Sequence, residues 1–271
     1  MKRNFVYILF FTLGTVLIGT SCKSNFEKIR ASGDTDLIYK TAFDLYEVEE
    51  YQRAQTLFEL IIPQYRGKAE LEKIYKTYAY TFYHQGKYVL SNYYFKNFAT
   101  TFPNSESREE AEFMAAFSNY EMSPSYRLDQ TFTLRAIENF QTFVNTYPNS
   151  ERVAECNKLI DQMRLKLEEK EFEEANLYFD LRQYQAATVT YENLLKDFPE
   201  TTRGESVRYM MAKAAYNLAE NSVYEKKSER YEVATNYASD FTRKYKDSDN
   251  YSEIESIYED SSKKAKSFPN G

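Results

Sequence analysis

The stretch LEKIYKTYAYTFYHQGKYVLSNYYFKNFATTFPNS, residues 71–105, predicts two helices joined by a tight turn. Each helix carries aromatic and small side chains at intervals of three and four residues, which places them on one face of a 3.6-residue period. They are Tyr75, Tyr78, Ala79 and Phe82 in the first helix, and Tyr88, Ser91, Phe95 and Phe98 in the second. Gly86 interrupts the pattern between the helices. Pro103 ends the second helix, because proline has no backbone N–H to donate and disfavours helix in the residue before it.

The order of small and bulky positions in this stretch is that of a tetratricopeptide repeat. Ala79 occupies the small position at which two antiparallel helices cross. Such helices approach to about 8–10 Å only when small side chains lie at the crossing. The aromatic side chains then fill the groove between neighbouring units. Since one unit cannot bury its apolar face alone, further units are expected along the chain.

Related patterns recur and predict an all-α tetratricopeptide-repeat superhelix of about five helix-turn-helix units. Three similar tetrapeptides close the second, third and fourth units: Phe102-Pro103-Asn104-Ser105, Tyr147-Pro148-Asn149-Ser150 and Phe198-Pro199-Glu200-Thr201. We assign residues 34–150 to repeats 1–3, residues 151–260 to repeats 4 and 5 with a capping helix, and residues 261–271 to a disordered tail. In the first unit, Pro63 comes early and predicts a helix end or kink near Ile62.

Local signals predict several helix boundaries. Ser107 with Glu110, and Thr202 with Glu205, match the capping box that starts a helix. An irregular stretch at residues 126–133 separates the two helices of the third unit. The highly charged helical pattern from Glu151 to Asp180 combines an extra helix, or an extension, with the first helix of the fourth unit.

The N-terminus matches an export signal followed by a lipid anchor. Two basic residues precede an apolar run at residues 5–18, and small residues then lead to Cys22. The run is shorter than the ~20 residues of a membrane-spanning helix. A cysteine in this position resembles the bacterial lipoprotein signal, in which the peptide is removed before the cysteine and the cysteine is acylated. We predict a signal peptide at residues 1–21 and an acylated Cys22 that begins a tether at residues 22–33. The alternative is an ordinary signal peptide with an incidental cysteine.

The composition favours long helices and disfavours binding to nucleic acid. The chain has 271 residues with only 7 Gly and 6 Pro, fewer than a turn-rich β protein needs. Its net charge is −6, with Lys and Arg scattered among Asp and Glu, so the sequence offers no basic stripe for a phosphate backbone. With Cys22 acylated, Cys156 has no partner for an intramolecular disulfide, and its helical context predicts a small buried hydrophobe.

The sequence shows no arrangement typical of a catalytic or metal site, and acid pairs such as Glu49 with Glu50 are read as solvated helix faces, so we predict neither an enzyme nor a metal or other cofactor. His84 is the only histidine, and no pattern in the sequence suggests a nucleophile that it could activate. We therefore expect His84 to lie on the surface or in a groove and not in a catalytic site. One histidine and two cysteines are too few for a zinc site of the usual ligands. Gly67-Lys68 and Gly86-Lys87 lack the upstream glycine of a phosphate-binding loop.

The 26 tyrosines and 20 phenylalanines favour a binding function. A tyrosine ring packs against apolar groups while its hydroxyl reaches water or a peptide carbonyl. Six tyrosines of the first two units are candidates for a groove that binds an extended apolar peptide: Tyr39, Tyr46, Tyr75, Tyr78, Tyr83 and Tyr94. The alternative for each of them is a place in the core between helices.

The lipoprotein signal, the short tether, the five units and the closing motifs together resemble the BamD family, the lipoprotein subunits of the β-barrel assembly machinery. The similarity is greatest at residues 87–105, 135–150 and 173–201. The resemblance implies a scaffold on the periplasmic face of the outer membrane, anchored in the membrane through Cys22. It also implies that repeats 4 and 5 bind the barrel-forming, BamA-like subunit, and that repeats 1 and 2 bind the targeting strands of unfolded outer-membrane proteins.

Two other functions use the same kind of repeat. One is a nutrient-capture lipoprotein that sits on a sugar transporter. Such chains are longer and usually carry tryptophan for sugar stacking, whereas this chain has none. The other is an envelope scaffold of a division or peptidoglycan complex, which the repeat pattern does not distinguish from an assembly scaffold.

Overall fold

The computed structural model describes residues 25–268. The predicted signal peptide, the acylation of Cys22 and the last three residues of the predicted tail lie outside this range. Within it the chain forms α-helices and two short 3₁₀ helices, Ile62–Tyr65 and Tyr224–Lys226, and no β-strand. The α-helices are α1 Asn25–Arg30, α2 Thr35–Glu47, α3 Tyr51–Ile61, α4 Glu70–His84, α5 Tyr88–Thr101, α6 Arg108–Glu121, α7 Thr131–Thr146, α8 Val153–Asp180, α9 Tyr184–Asp197, α10 Gly204–Glu220, α11 Lys227–Lys244 and α12 Tyr251–Ser267. The predicted all-α fold is confirmed.

The chain divides into two compact units, one up to Met122 and one from Ser123. In the first unit α2 packs with α3, α4 packs with α5, and α6 packs against α5. The core consists of side chains with the predicted spacing of three and four, among them Ile38, Ala42, Ala54, Phe58, Ile61, Ile74, Ala79, Phe82, Phe95 and Phe98. These helix-turn-helix pairs are of the tetratricopeptide type. As Pro63 predicts, α3 ends at Ile61 and continues as a 3₁₀ helix.

The turn inside three of the helix pairs has one shared conformation. It places Glu49, Gly86 and Arg182 in the left-handed region, at φ of 62°, 68° and 59°. The N–H of the next residue then reaches back to a carbonyl of the last helical turn, as from Lys87 N to Phe82 O at 2.9 Å. This is the Schellman motif. Only glycine adopts this conformation without a steric cost, so the sequence identifies the turn at Gly86 and gives no sign of it at Glu49 or Arg182.

In each of the three tetrapeptides that close a repeat, the last residue makes hydrogen bonds that hold the turn. The hydroxyl oxygens of Ser105, Ser150 and Thr201 each accept a hydrogen bond from the backbone N–H two residues later, at 2.9 Å, 3.1 Å and 3.0 Å. Ser105 Oγ also donates to Glu72 Oε1 at 2.5 Å, and Thr201 Oγ1 donates to Glu168 Oε1 at 2.6 Å. Each of these two hydroxyls therefore connects the turn that ends a repeat to the first helix of the same repeat.

The two predicted capping boxes are wrong. Ser107 and Arg203 occupy the N-cap positions of α6 and α10, and neither side chain bonds the start of its helix. Ser105 and Thr201, two residues earlier, already bind the N–H groups of those N-cap residues. Glu205 instead accepts a hydrogen bond from the hydroxyl of Ser248 at 2.6 Å.

In the second unit, α8 is one uninterrupted helix of 28 residues that packs against both α7 and α9. The prediction that residues 151–180 contain an extension of the fourth repeat's first helix is therefore confirmed, and the alternative of a separate extra helix is wrong. Cys156 is fully buried on this helix, as predicted, and burial raises the pKa of its thiol to about 11. α10, α11 and α12 complete the unit, with buried side chains that include Val207, Met211, Ala214, Ala238, Phe241 and Ile254.

Parts of the predicted tether and of the predicted disordered tail are helical. Residues 25–30, inside the predicted tether, form α1, and Phe26 and Ile29 pack on the core of the first unit. The disordered tail predicted from residue 261 was wrong for residues 261–267, which continue α12. Ser261 and Ala265 of that segment are buried, and these two small side chains gave too weak an apolar signal in the sequence.

None of the helices between residues 25 and 268 has the length and apolar character that a membrane crossing requires.

Candidate peptide-binding surface

The structure separates the six candidate tyrosines into three groups: Tyr46 with Tyr83, Tyr75 with Tyr78 and Tyr94, and Tyr39 by itself. Tyr39 is half-buried on α2, with its ring centroid 5.5 Å from that of Tyr65 at the end of the first unit's 3₁₀ helix. The rings of Tyr75, Tyr78 and Tyr94 contact one another, whereas the rings of Tyr46 and Tyr83 contact His84. A single groove lined by all six is therefore not formed.

The first group is centred on His84, the last residue of α4. The imidazole stacks on the ring of Tyr51, with centroids 4.6 Å apart and planes 15° apart. The ring of Tyr80 lies 5.9 Å away with its plane at 25°, and the Tyr46 hydroxyl shares a hydrogen bond of 3.2 Å with Nε2. Tyr80 lies beside His84 because residues four apart are neighbours on a helix. We name Tyr46, Tyr51, Tyr80 and His84 the His84 cluster.

Partial burial sets the protonation of this cluster. Burial lowers the pKa of His84 below its ordinary value of 6.5, and the charge of Glu49 opposes this shift. Burial, together with the nearby Tyr51 and Glu47, raises the pKa of Tyr46 to about 12. At neutral pH the imidazole and the phenol are therefore uncharged, and they offer hydrogen-bonding atoms beside aromatic faces.

Side-chain contacts connect the first helices of the three repeats. The ammonium of Lys73 lies 4.5 Å from the centroid of the Phe43 ring, which connects α4 to α2. The Tyr80 hydroxyl donates to Glu110 Oε1 at 2.6 Å, and Lys76 Nζ lies 3.2 Å from Glu110 Oε2; both contacts connect α4 to α6. We name the surface formed by α2, α4 and α6 the first-helix surface.

Tyr83 extends this surface towards α6. Its ring centroid lies 5.6 Å from that of His84 and 6.3 Å from that of Phe117. Phe117 in turn stacks on Phe113 of the same helix at 5.6 Å. Burial raises the pKa of Tyr83 to about 12, so this hydroxyl also stays protonated. A row of aromatic side chains thus runs from the end of α2 across α4 to α6.

The second group of tyrosines belongs to the packing between helices. Tyr78 is only 4% exposed, and its hydroxyl donates to Glu59 Oε1 on α3 at 2.9 Å. Tyr94 stacks on Phe82 at 4.7 Å, and Tyr75 lies 6.3 Å from Tyr94. The prediction that Tyr78 lines a groove was wrong, because the core encloses it. Tyr75 and Tyr94 are half-buried beside it.

Sequence reasoning missed Tyr80 and Phe117 as parts of the first-helix surface, and it missed Tyr51 of α3, which borders that surface through its stacking on His84. Tyr80 carried a usable signal, since it stands four residues before the single histidine on a predicted helix. Tyr51 carried no such signal, because its contact with His84 joins two different repeats and no local spacing in the sequence encodes it. Phe117 follows Phe113 by four residues and could have been assigned to the same helix face.

In the second unit a cleft of about 650 Å³ lies between α10 and α12. Charged side chains line it, and two ion pairs connect its walls: Lys213 lies 3.0 Å from Glu253, and Lys264 lies 2.6 Å from Glu220. Lys264 also lies 2.7 Å from Asp260 on its own helix. The hydrogen bonds to Asp260 and Glu220 hold the pKa of Lys264 well above its usual range. This cleft is polar and charged, in contrast to the aromatic first-helix surface.

Over residues 25–268 there is no group of three or more His, Cys, Asp or Glu side chains that could hold a metal ion. His84 is bonded to a tyrosine hydroxyl and not to a nucleophile or a carboxylate. The first-helix surface presents ring faces, neutral hydroxyls and one neutral imidazole.

Comparison with known proteins assigns the chain to a family. The sequence profile of the YfiO family, described as outer membrane lipoprotein, matches residues 32–232. A relative from Aquifex aeolicus (strain VF5), provisionally named outer membrane protein assembly factor BamD, is 24% identical over 215 residues, which are 79% of this chain and 70% of that one. Among solved structures, the TPR2AB-domain:pHSP90 complex of yeast Sti1 is similar at 14% identity and a TM-score of 0.42, over 86% of this chain and 100% of that chain. The family match covers both helical units for most of their length, and the chain belongs to the YfiO family of outer membrane lipoproteins.

Proposed function

We propose that this protein is a lipid-anchored scaffold of the β-barrel assembly machinery, on the periplasmic face of the outer membrane. The observation that carries the proposal is the family match over residues 32–232, and the name of the Aquifex relative supports it. The lipoprotein-like sequence before Cys22 agrees with the location that the family description gives. The proposed role is assistance in folding and inserting outer-membrane β-barrel proteins.

The first-helix surface is the proposed site for the targeting strands of unfolded outer-membrane proteins. An extended strand that ends in an aromatic residue can stack on the rings of Tyr51, Tyr83 or His84. Its backbone N–H and C=O groups can exchange hydrogen bonds with the neutral hydroxyl of Tyr46 and the imidazole. Neither group carries a charge at neutral pH, so covering them with an apolar strand does not remove a charge from water.

Repeats 4 and 5 are the proposed site for the barrel-forming, BamA-like subunit. The cleft between α10 and α12 supports this assignment, because its paired charges suit a folded and polar protein surface better than an apolar strand. The acyl chains on Cys22 would hold the complex at the membrane. Two binding sites of different character thus serve two kinds of partner.

A detergent-solubilised pull-down from the native membrane tests the assembly role. We expect recovery of a large β-barrel protein with periplasmic domains, and we expect depletion of the chain to lower the level of outer-membrane barrel proteins. Recovery of a sugar transporter or of a division complex would contradict the proposal and favour one of the two alternative functions.

A peptide-binding experiment tests the substrate site separately. The mature chain is titrated with a synthetic peptide copied from the last strand of an outer-membrane barrel protein, and binding is followed by fluorescence anisotropy. His84→Ala is expected to weaken binding about tenfold, since stacking and one hydrogen bond together contribute roughly 1–2 kcal/mol. Tyr93→Ala is the matched control, because Tyr93 is 56% exposed on α5 and does not belong to the His84 cluster. Equal losses in both variants would argue against the assignment.

A further inference from the structure

The segment next to the lipid attachment site is part of the folded body. Phe26 and Ile29 of α1 pack against the core of the first unit. The guanidinium of Arg53, on α3, lies 4.7 Å from the centroid of the Phe26 ring. The sequence predicts a tether over these residues, and a tether without packing contacts would leave the repeats free to turn above the membrane. The packing of α1 removes that freedom from residue 25 onwards.

The connection from α1 to α2 is also hydrogen-bonded throughout. Ser32 Oγ donates to Ile29 O at 2.8 Å and accepts from Asp34 N at 3.1 Å. Asp34 then caps α2 by accepting from Leu37 N at 3.0 Å. No free segment therefore separates α1 from the first repeat, and the two move together.

Only three residue steps separate Cys22 from Asn25, the first residue of α1. A fully extended chain spans about 3.3–3.6 Å per residue, so these steps reach roughly 11 Å at most. The polar headgroup region of a bilayer is about 5–8 Å deep on each side. When Cys22 is acylated, α1 is therefore confined to the lipid headgroups or to the layer of water directly above them.

The charge of this part of the chain suits phosphate groups. Between Lys23 and Gly33 the chain carries the three basic residues Lys23, Lys28 and Arg30 and a single acid, Glu27, although the whole protein has a net charge of −6. Lys28, Arg30 and Arg53 are exposed. Arg30 pairs with Glu27 at 2.7 Å in an exposed contact, which is easily exchanged for a lipid phosphate.

We propose that the surface formed by α1 and the first turn of α3 rests on anionic phospholipid headgroups, so that the first repeat is held at the membrane in a fixed orientation. Lys28, Arg30 and Arg53 bind the lipid phosphates, and Phe26 and Ile29 transmit that contact to the core. This inference depends on acylation of Cys22 and is independent of the assembly role.

Fluorescence quenching on vesicles tests the orientation. The acylated full chain is reconstituted in vesicles of phosphatidylethanolamine and phosphatidylglycerol that contain a lipid with a nitroxide on its headgroup. A fluorophore is attached at Gln52→Cys, on α3 beside Arg53, or at Thr100→Cys, at the end of α5; both positions are exposed. The remaining thiol of Cys156 is fully buried and does not react. We expect strong quenching at residue 52 and weak quenching at residue 100.

Charge variants show whether the basic residues hold that orientation. Lys28→Gln with Arg30→Gln should reduce quenching at residue 52, by about fivefold per charge in the population of the bound orientation. Lys87→Gln with Lys96→Gln removes the same charge from α5 and should change nothing. Added salt should act on the unaltered chain as the α1 variants do. Equal quenching at the two labelled positions, or quenching insensitive to both salt and the α1 variants, would overturn the proposal.

Mass spectrometry of the same sample determines whether Cys22 carries acyl chains. A chain without them removes the premise and overturns the proposal. Because the vesicles contain no other protein, failure of this test leaves the assembly role intact, and failure of the pull-down leaves the membrane contact intact.

Discussion

His84 and Tyr51 stack face to face, with ring centroids 4.6 Å apart, although one ends α4 and the other begins α3. The contact therefore joins the second repeat to the first. It places the only titratable imidazole of the chain at the junction of two repeats, where its protonation state affects both the packing and the proposed peptide site.

The pKa of His84 is expected to lie below 6.5, because partial burial disfavours the imidazolium. The unfolded chain then binds a proton more readily than the folded chain. The contribution of His84 to stability is therefore complete above pH ~6.5 and is lost as the pH falls through the lower pKa of the folded state. Since the sequence contains one histidine, a proton NMR titration observes this imidazole alone.

His84→Gln is the control for that titration. It should reduce the difference in unfolding free energy between about pH 7.5 and pH 5.5, because glutamine does not titrate. An NMR pKa above 6.5 would contradict the expectation, and would mean that Glu49 outweighs burial.

Tyr78→Phe should lower the free energy of unfolding by about 1 kcal/mol, since it removes a hydrogen bond to a carboxylate that water can partly replace. The affected bond joins the Tyr78 hydroxyl to Glu59 and so connects α4 to α3. Urea denaturation followed by circular dichroism measures the loss. Tyr93→Phe, at a position 56% exposed, should stay within about 0.5 kcal/mol of the unaltered chain. A Tyr78→Phe chain as stable as this control would show that the bond is not formed in solution.

Thr201→Val should be more costly than Ser105→Ala, although the two hydroxyls have the same geometry. Glu168, the acceptor of the Thr201 hydroxyl, is 7% exposed, whereas Glu72, the acceptor of the Ser105 hydroxyl, is half-buried. The buried Glu168 cannot turn to water, and Arg203 Nε, at 3.8 Å from Glu168 Oε1, is too far away to replace the lost hydrogen bond. We therefore expect a loss of about 2–3 kcal/mol for Thr201→Val and about 1 kcal/mol for Ser105→Ala. Urea denaturation of the two variants in parallel checks the order, and equal losses would refute it.

Cys156 should not react with a maleimide in the folded protein. It is fully buried, and burial raises the pKa of its thiol to about 11, so very little thiolate exists near neutral pH. Mass spectrometry of the acylated chain should find no label under native conditions and one label after unfolding in urea. Rapid labelling without urea would mean that the first half of α8 opens readily.

The helices and the core of this chain were predictable because their signal is local. The spacing of Ala79, Phe82, Phe95 and Phe98 encodes the inner faces of α4 and α5, and all four side chains are buried. The burial of Cys156, and the end of α3 at Ile61 shortly before Pro63, were predictable for the same reason. Each of these features depends on residues within a few positions of one another.

The candidate site was predictable only in part, because its contacts join residues from different repeats. Tyr46 and Tyr83 were selected as aromatic residues on predicted first helices, and they do lie beside His84. Tyr78 was selected by the same criterion and is enclosed, because its hydroxyl is directed towards α3. A helical period tells which face a residue occupies, and it does not tell which neighbouring helix covers that face.

Hydrogen-bonded turns were the least predictable feature. The pattern around Ser107 matched a capping box, but Ser105 had already bound the N–H of Ser107. In the same way, residues 22–33 were predicted to be a tether that follows Cys22, whereas residues 25–30 form α1, and Phe26 and Ile29 pack on the core of the first repeat.

The length of α8 has a consequence for how the second unit unfolds. Its 28 residues span about 42 Å, and it packs with α7 and with α9, so two consecutive hairpins share one element. In most repeat arrays each hairpin can open while its neighbour stays closed. Here neither hairpin can open completely without breaking the helix that the other requires. The amide protons of α7, α8 and α9 should therefore exchange with solvent as one cooperative block, with a common opening free energy.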